Sequence, residues 1–174
     1  MRVLLSAQSV SERDRKSRLI LERLCENAAF KRAGAVCFYV PLPVEVDTRL
    51  MIERSLEVGK RVLVPLVDLE NKELKLKEIR DLVKDLAPGT LGILEPVVAT
   101  KEAELRDVEC LLLPALAFDP KGRRLGRGGG YYDRLLAKLP AKVTKIGLAF
   151  SFQVLPQIPL EDHDRTVDLV LTEK

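Results

Sequence analysis

Short apolar runs recur along this chain with charged, helix-forming stretches between them: A-V-C-F-Y-V at 35–40, R-V-L-V-P at 61–65, C-L-L-L-P-A at 110–115, K-I-G-L-A-F at 145–150 and V-D-L-V-L-T at 167–172. A strand wetted on one face alternates apolar and polar residues, whereas a strand covered on both faces reads as a nearly unbroken apolar run. Only E-L-K-L-K-E at 73–78 alternates like a half-exposed strand. The intervening segments carry helix signals. Ser9-x-x-Glu12 has the form of a capping box, Leu21, Leu24, Cys25 and Ala28 follow at helical spacing, and Gly34 supplies a stop, which predicts a helix over roughly 10–33. Thr48 is expected to cap a second helix, with Ile52 and Leu56 one turn apart and Gly59 at its end. A third is predicted from about Tyr131 to Leu139. Buried strands alternating with amphipathic helices predict an α/β domain with a mostly parallel sheet.

Composition narrows the possibilities. A chain of 174 residues, 47% apolar and 32% charged, can bury roughly 70% of its unfolded surface, and no repeat or linker divides it, so a single domain over 1–174 is expected. Cys25, Cys37 and Cys110 show no C-x-x-C spacing and sit among apolar residues, which suits buried free thiols in a reducing cytoplasm. The uncharged run 34–44 contains two prolines and falls short of the roughly 18 residues of a membrane span; no membrane association is expected. The net charge of +3 gives no general affinity for nucleic acid, so any anion site must be local.

One stretch concentrates that local charge: R-R-L-G-R-G-G-G-Y-Y-D at 123–133. It is not a dinucleotide fingerprint, because the sixth position from Gly126 is Tyr131, and no Gly-Lys-Ser or Gly-Lys-Thr provides a Walker A loop. Its position is nonetheless suggestive. Ligands of open α/β sheets bind beyond the carboxyl ends of strands, and this loop leaves that end of the 110–115 strand and opens the helix at Tyr131. Glycines without Cβ atoms let backbone N–H groups approach an anion, the helix start adds a positive dipole end, and Arg123, Arg124 and Arg127 add cations. The competing reading is a glycine hinge among ordinary surface arginines, the commoner meaning of a glycine cluster. Asp133 tilts the balance: a first-turn carboxylate is a favourable dipole partner, and beside a polyphosphate it is also a Mg²⁺ donor. E-D-H-D at 161–164 adds a second acidic cluster that alone reads as a solvated turn; His163, the single histidine, lacks partners for zinc and reads as an exposed loop residue.

L-P-A-L-A-F-D, then G-R-R-L-G-R-G-G-G-Y-Y-D, then I-P-L-E-D-H-D-R-T-V-D-L-V-L-T, with Y-V-P-L-P-V-E-V-D-T and G-K-R-V-L-V-P upstream in the same order, resemble the 5-formyltetrahydrofolate cyclo-ligase (methenyltetrahydrofolate synthetase) family over nearly the whole chain. The resemblance implies a three-layer α/β/α fold and ATP- and Mg²⁺-dependent cyclisation of 5-formyltetrahydrofolate to 5,10-methenyltetrahydrofolate by a cytoplasmic enzyme, expected to be a monomer. It implies that Arg124, Leu125, Gly126, Arg127, Gly128, Gly129, Gly130, Tyr131 and Tyr132 wrap the ATP phosphates, with Arg124, Arg127 and Tyr132 the catalytic group. Asp133 and Asp164 become metal ligands, and Val40, Glu45, Gly128, Gly129, Gly130 and Tyr131 substrate contacts. Of Tyr131 and Tyr132, one is expected to stack on ligand and one to pack the helix start. Chemistry supports Glu45 independently: a reduced pterin presents an amine and a ring N–H side by side, and one carboxylate accepts both. Its bland alternative is a solvent-facing charge ahead of the Thr48 helix. The family pattern also places a Lys and an Arg one turn apart in an N-terminal helix reaching the nucleotide. This chain reads as starting after that segment, with Arg2 the sole basic residue before Arg13, so the expectation is either a truncated start with reduced ATP affinity or other residues in substitution. Two further classes fit a phosphate loop: a nucleotide-binding regulatory module indifferent to folate, and a small-molecule kinase releasing a phosphorylated product.

Overall fold

The computed structural model describes residues 1–89, 93–97, 99–159 and 164–174. Its strands are β1 (Ala35–Cys37), β2 (Arg61–Asp68), β3 (Glu73–Ile79), β4 (Leu86–Pro88), β5 (Leu94–Pro96), β6 (Lys101–Ala103), β7 (Cys110–Leu113), β8 (Ala117–Phe118), β9 (Arg124–Leu125), β10 (Thr144–Leu148) and β11 (Leu169–Leu171). The helices are α1 (Arg2–Ser6), α2 (Val10–Glu26), α3 (Ala28–Arg32), α4 (Arg49–Glu57) and α5 (Tyr131–Lys138). The main sheet has the order β11-β10-β7-β1-β2-β3-β6; β11 through β2 run parallel, and β3 and β6 extend the sheet antiparallel. The five apolar runs are therefore the parallel strands, and the alternating 73–78 segment is the hairpin partner of β2.

Because side chains alternate across a strand, the same runs supply both faces. Val36, Val62, Val64, Cys110, Leu112, Ile146 and Leu148 pack under Ile20, Leu21 and Leu24 of α2, Phe30 of α3, and Met51 and Ile52 of α4. Cys37, Leu63, Leu111 and Leu113 pack against Leu135 and Leu136 of α5. Helices thus cover both faces, giving three α/β/α layers. Among the described residues no helix is long and apolar enough to cross a membrane.

Several boundaries differ from the expected ones for identifiable reasons. The helix over 10–33 is broken at Asn27, which ends α2 and caps α3 by accepting a hydrogen bond from the Phe30 amide at 3.0 Å; an Asn side chain competes with the helical backbone and favours a cap. Ser9 does cap α2, accepting from the Glu12 amide. Thr48 stands at the start of α4, but its hydroxyl donates to the Tyr39 carbonyl (2.7 Å), and Asp47 accepts from the Arg49 amide instead. The strands β1 and β7 stop at Cys37 and Leu113, short of the apolar runs. Pro114, without an N–H to donate, follows β7 directly, and beyond β1 the Phe38 amide still donates to the Leu63 carbonyl at 2.8 Å before the chain turns away ahead of Pro41. What leaves the sheet becomes the site.

Candidate functional site

From β1 the chain crosses to β2 on one side, while β7, the next parallel strand, lies on the other side of β1. At such a switch point the loops leaving adjacent strands part and open a crevice. Here a cleft of about 700 Å³ lies between them, bordered by Val40 and Glu45 from the β1 loop, Arg124 through Asp133 from the β7 side, and Asp164 near the C-terminus.

Glu45 is held by its own loop. The Leu42–Glu45 turn closes by a Glu45 N–H to Leu42 carbonyl bond of 3.0 Å, and Glu45 Oε2 accepts from the Leu42 amide at 3.0 Å. Oε1 accepts from Arg127 Nη2 at 2.9 Å and Nε at 3.2 Å. At 8% exposure Glu45 is not the solvent-facing charge of the bland reading. A carboxylate and a guanidinium 82 residues apart in sequence meet inside one cleft.

The glycine-rich segment keeps its cations in place by two means. Arg124, on β9, is buried, forms an ion pair with Asp133, and its Nε has no partner among the described residues. A buried guanidinium donor left over is a place for an acceptor to arrive. Gly130 sits at the start of α5 with φ 64°, where a Cβ would lie 2.8 Å from Arg134 Nη1. Its left-handed turn opens α5, whose first residues Tyr131, Tyr132 and Asp133 border the cleft, and amides at a helix start have no intrahelical partner. Both tyrosines border the cleft, and they differ in what else they touch. Tyr132 packs against both apolar clusters, and its burial, with Cys37 and Glu45 nearby, drives its phenol well above the usual range. Tyr131 borders the cleft with the Arg134 guanidinium 5.1 Å from its ring centre.

Arg123 corrects the expectation of three cations around one point: its guanidinium donates to the Ile158 carbonyl at 3.0 Å and lies 3.7 Å from Asp119, and it does not border the cleft. Asp133 and Asp164 both border it, but among the described residues no group of three or more His, Cys, Asp or Glu is gathered as a metal centre. Glu161, Asp162 and His163 lie outside the described residues.

Sequence reasoning missed two contributors. The first is an apolar wall formed by Pro65, Val67 and Leu69 at the end of β2, Leu74 on β3, and Ile93 and Leu94 beside β5. Leu69 and Leu94 are exposed, and their apolar character looks like ordinary strand patterning until the hairpins place it at a cleft. The second is the buried pair Asp119 and Gln153. Gln153 donates to the Ala115 and Leu116 carbonyls at 2.9 and 3.2 Å and accepts from the Phe150 amide at 2.8 Å, tying the root of the glycine loop to the end of β10. The D-P-K-G sequence at 119–122 is a turn signal that could have drawn notice to Asp119.

The sequence and fold recur in known proteins. The model of the 5-formyltetrahydrofolate cyclo-ligase family matches residues 1–173. The mouse protein named 5-formyltetrahydrofolate cyclo-ligase is 31% identical over 97% of this chain and 88% of its own length, and the Mycolicibacterium smegmatis protein of that name is 36% identical over 80% and 73%. The solved structure of Aquifex aeolicus 5,10-methenyltetrahydrofolate synthetase superposes with a TM-score of 0.83 at 36% identity, covering 96% of this chain and 82% of that one. The similarity spans the parallel sheet, both helical layers and the loops that border the cleft, so the chain belongs to the 5-formyltetrahydrofolate cyclo-ligase family.

Proposed function

We propose that this protein converts 5-formyltetrahydrofolate to 5,10-methenyltetrahydrofolate, consuming ATP in the presence of Mg²⁺ and releasing ADP and phosphate. The observation that carries the reading is the meeting of Glu45 with Arg127 in one cleft, which puts a pterin-type acceptor within reach of a phosphate-type cradle.

The formyl group on N5 is an amide: its carbon is a weak electrophile and its oxygen a poor leaving group. Attack of the formyl oxygen on the γ-phosphorus of ATP forms an O–P bond and expels ADP. The N10 lone pair then closes on the activated carbon, the C–O bond breaks, and phosphate and the N10 proton depart as the methenyl bridge forms. The protein's share is alignment and charge stabilisation. Glu45 would accept the pterin amine and ring N–H, with Val40 beside it. Arg124, Arg127 and the amides of Gly128 through Tyr132 would hold the phosphoryl oxygens, Leu125 and Gly126 carrying the backbone past them, while Tyr131 faces both ligands. Mg²⁺ supplies neutralisation of phosphate charge when bound, and Asp133 and Asp164 are hard oxygen donors of the kind it takes alongside phosphate. Every group named comes from one chain, which suits a monomer.

The test is to mix the protein with ATP, Mg²⁺ and 5-formyltetrahydrofolate and follow methenyl absorbance. The reading expects signal only with all three present. Nucleotide binding without a folate-dependent signal would favour a regulatory module, and a phosphorylated product in place of free phosphate would mark a kinase.

A further inference from the structure

Asp119 is 1% exposed, ionisable, and plays no part in the chemistry above. Its carboxylate is saturated from two directions. Oδ1 accepts from the Lys121 amide at 2.9 Å and the Arg123 amide at 3.0 Å, both in the turn joining β8 to β9; Oδ2 accepts from the Ile158 amide at 3.1 Å. Arg123 repeats the same link, donating Nη1 to the Ile158 carbonyl at 3.0 Å. Gly122 makes a third fastening: its carbonyl accepts from the Val167 amide at 2.8 Å. Its φ of 76° and lack of a Cβ permit this, since an added Cβ would lie 2.1 Å from the Val167 carbonyl oxygen. Ile158 and Val167, which flank Asp164 in sequence, are therefore both fastened to the β8–β9 turn, and Asp164 borders the cleft. The turn itself leads directly into Arg124.

The structure assigns Asp119 a positioning role in nucleotide binding: with Arg123 and Gly122 it clamps the cation-bearing β9 strand to the segment bearing Asp164, so that two stretches of chain present phosphate-side groups in one register. This rests on the function proposed above. Glu45 and Val40 hang from β1 and share none of these bonds, so the clamp acts on one ligand and not the other.

Asp119→Asn is the informative change. An amide oxygen can keep the two turn amides, but its NH₂ then faces the Ile158 N–H, donor against donor, and the link between the segments opens while the turn stays closed. Loss of one such charge-assisted bond is expected to weaken binding of the β,γ-imido analogue of ATP with Mg²⁺ by roughly tenfold, as read by calorimetry. Affinity for 5-formyltetrahydrofolate measured alone should stay within about twofold. Arg123→Met, which removes the second link and leaves the carboxylate, is expected to shift nucleotide affinity in the same direction by a smaller factor, and it decides the matter if Asp119→Asn does not fold. Equal weakening of both ligands, or unchanged nucleotide affinity in a folded variant, overturns the assignment. Wild-type turnover run in parallel separates the two ideas: absence of methenyl product there overturns the proposed reaction, whereas normal turnover beside an indifferent Asp119→Asn overturns only the clamp.

Discussion

The two sides of the cleft are built on opposite principles. The parallel side, at the ends of β1 and β7, is polar and heavily cross-linked: Arg124 to Asp133, Arg127 to Glu45, and Asp119 and Gln153 beneath them. The antiparallel side, on the β2–β3 hairpin and β5, is mainly apolar, with exposed Leu69 and Leu94 and with Glu95 as its charged lining residue. Charged groups held by fixed partners keep their geometry when a ligand arrives, which phosphoryl transfer requires. Apolar groups offer area and dispersion without a fixed direction, which suits an aromatic ring. The difference teaches that this fold divides its site by strand direction: parallel strand ends supply direction, antiparallel hairpins supply surface.

Substitutions on the two sides should then fail differently. The largest effect belongs to Arg124→Met, which strips the buried cation from the phosphate side and leaves Asp133 without its partner; kcat/KM for methenyl formation should fall by a factor on the order of a thousand. Glu45→Gln should lower folate turnover by about a hundredfold, mainly through folate KM, because the amide replaces one of the two accepting oxygens with an NH₂ that meets a pterin N–H donor against donor. A folate KM that stays constant would remove Glu45 from the substrate site. On the apolar side Val67→Ala should raise folate KM by about threefold with nucleotide KM unchanged, the scale of a few buried methyl groups. An equal rise in both would show that the walls are not divided as described.

A smaller effect concerns stability. Burial pushes the Asp119 carboxyl upward, but the Ile158, Arg123 and Lys121 amides outweigh it and hold the group below its ordinary 3.8. A depressed folded-state value contributes stability above the ordinary value that is lost as pH falls through 3.8 and on toward the folded one. Denaturant unfolding of wild type and Asp119→Asn should therefore differ most at neutral pH and converge below about 4. The least change is expected at the thiols. Burial, and to a lesser degree Cys110, raises Cys37 far above the thiol range; burial pushes Cys110 up to about 12. Alkylation of the native protein at mildly alkaline pH should reach only the half-buried Cys25, which mass mapping would read directly.

How much of this is legible in the chain follows the same division. The parallel strands announce themselves because burial on both faces demands uninterrupted apolar residues, and the R-R-L-G-R-G-G-G-Y-Y-D loop is conspicuous because its glycines and arginines leave a strand end and open a helix, where an anion meets free amides. Glu45 is visible by resemblance but not by pattern, since its burial depends on a fold-back turn that Pro41 and Pro43 shape. The apolar wall is illegible because leucines of a hairpin look the same whether they cover a core or a ligand. Arg123 misleads: its spacing from Arg124 and Arg127 says nothing of the β8–β9 turn, which sends neighbouring side chains to opposite sides. Asn27 likewise breaks a helix that apolar spacing alone would carry through to Gly34.

The central claim is that the cationic loop holds a triphosphate so that the formyl oxygen itself is phosphorylated. The direct measurement is turnover of 5-formyltetrahydrofolate carrying heavy oxygen in its formyl group, followed by mass analysis of the phosphate released. The account predicts that the heavy oxygen emerges in that phosphate, one atom per methenyl bridge formed. Unlabelled phosphate, with the heavy oxygen recovered in water or formate, would contradict it.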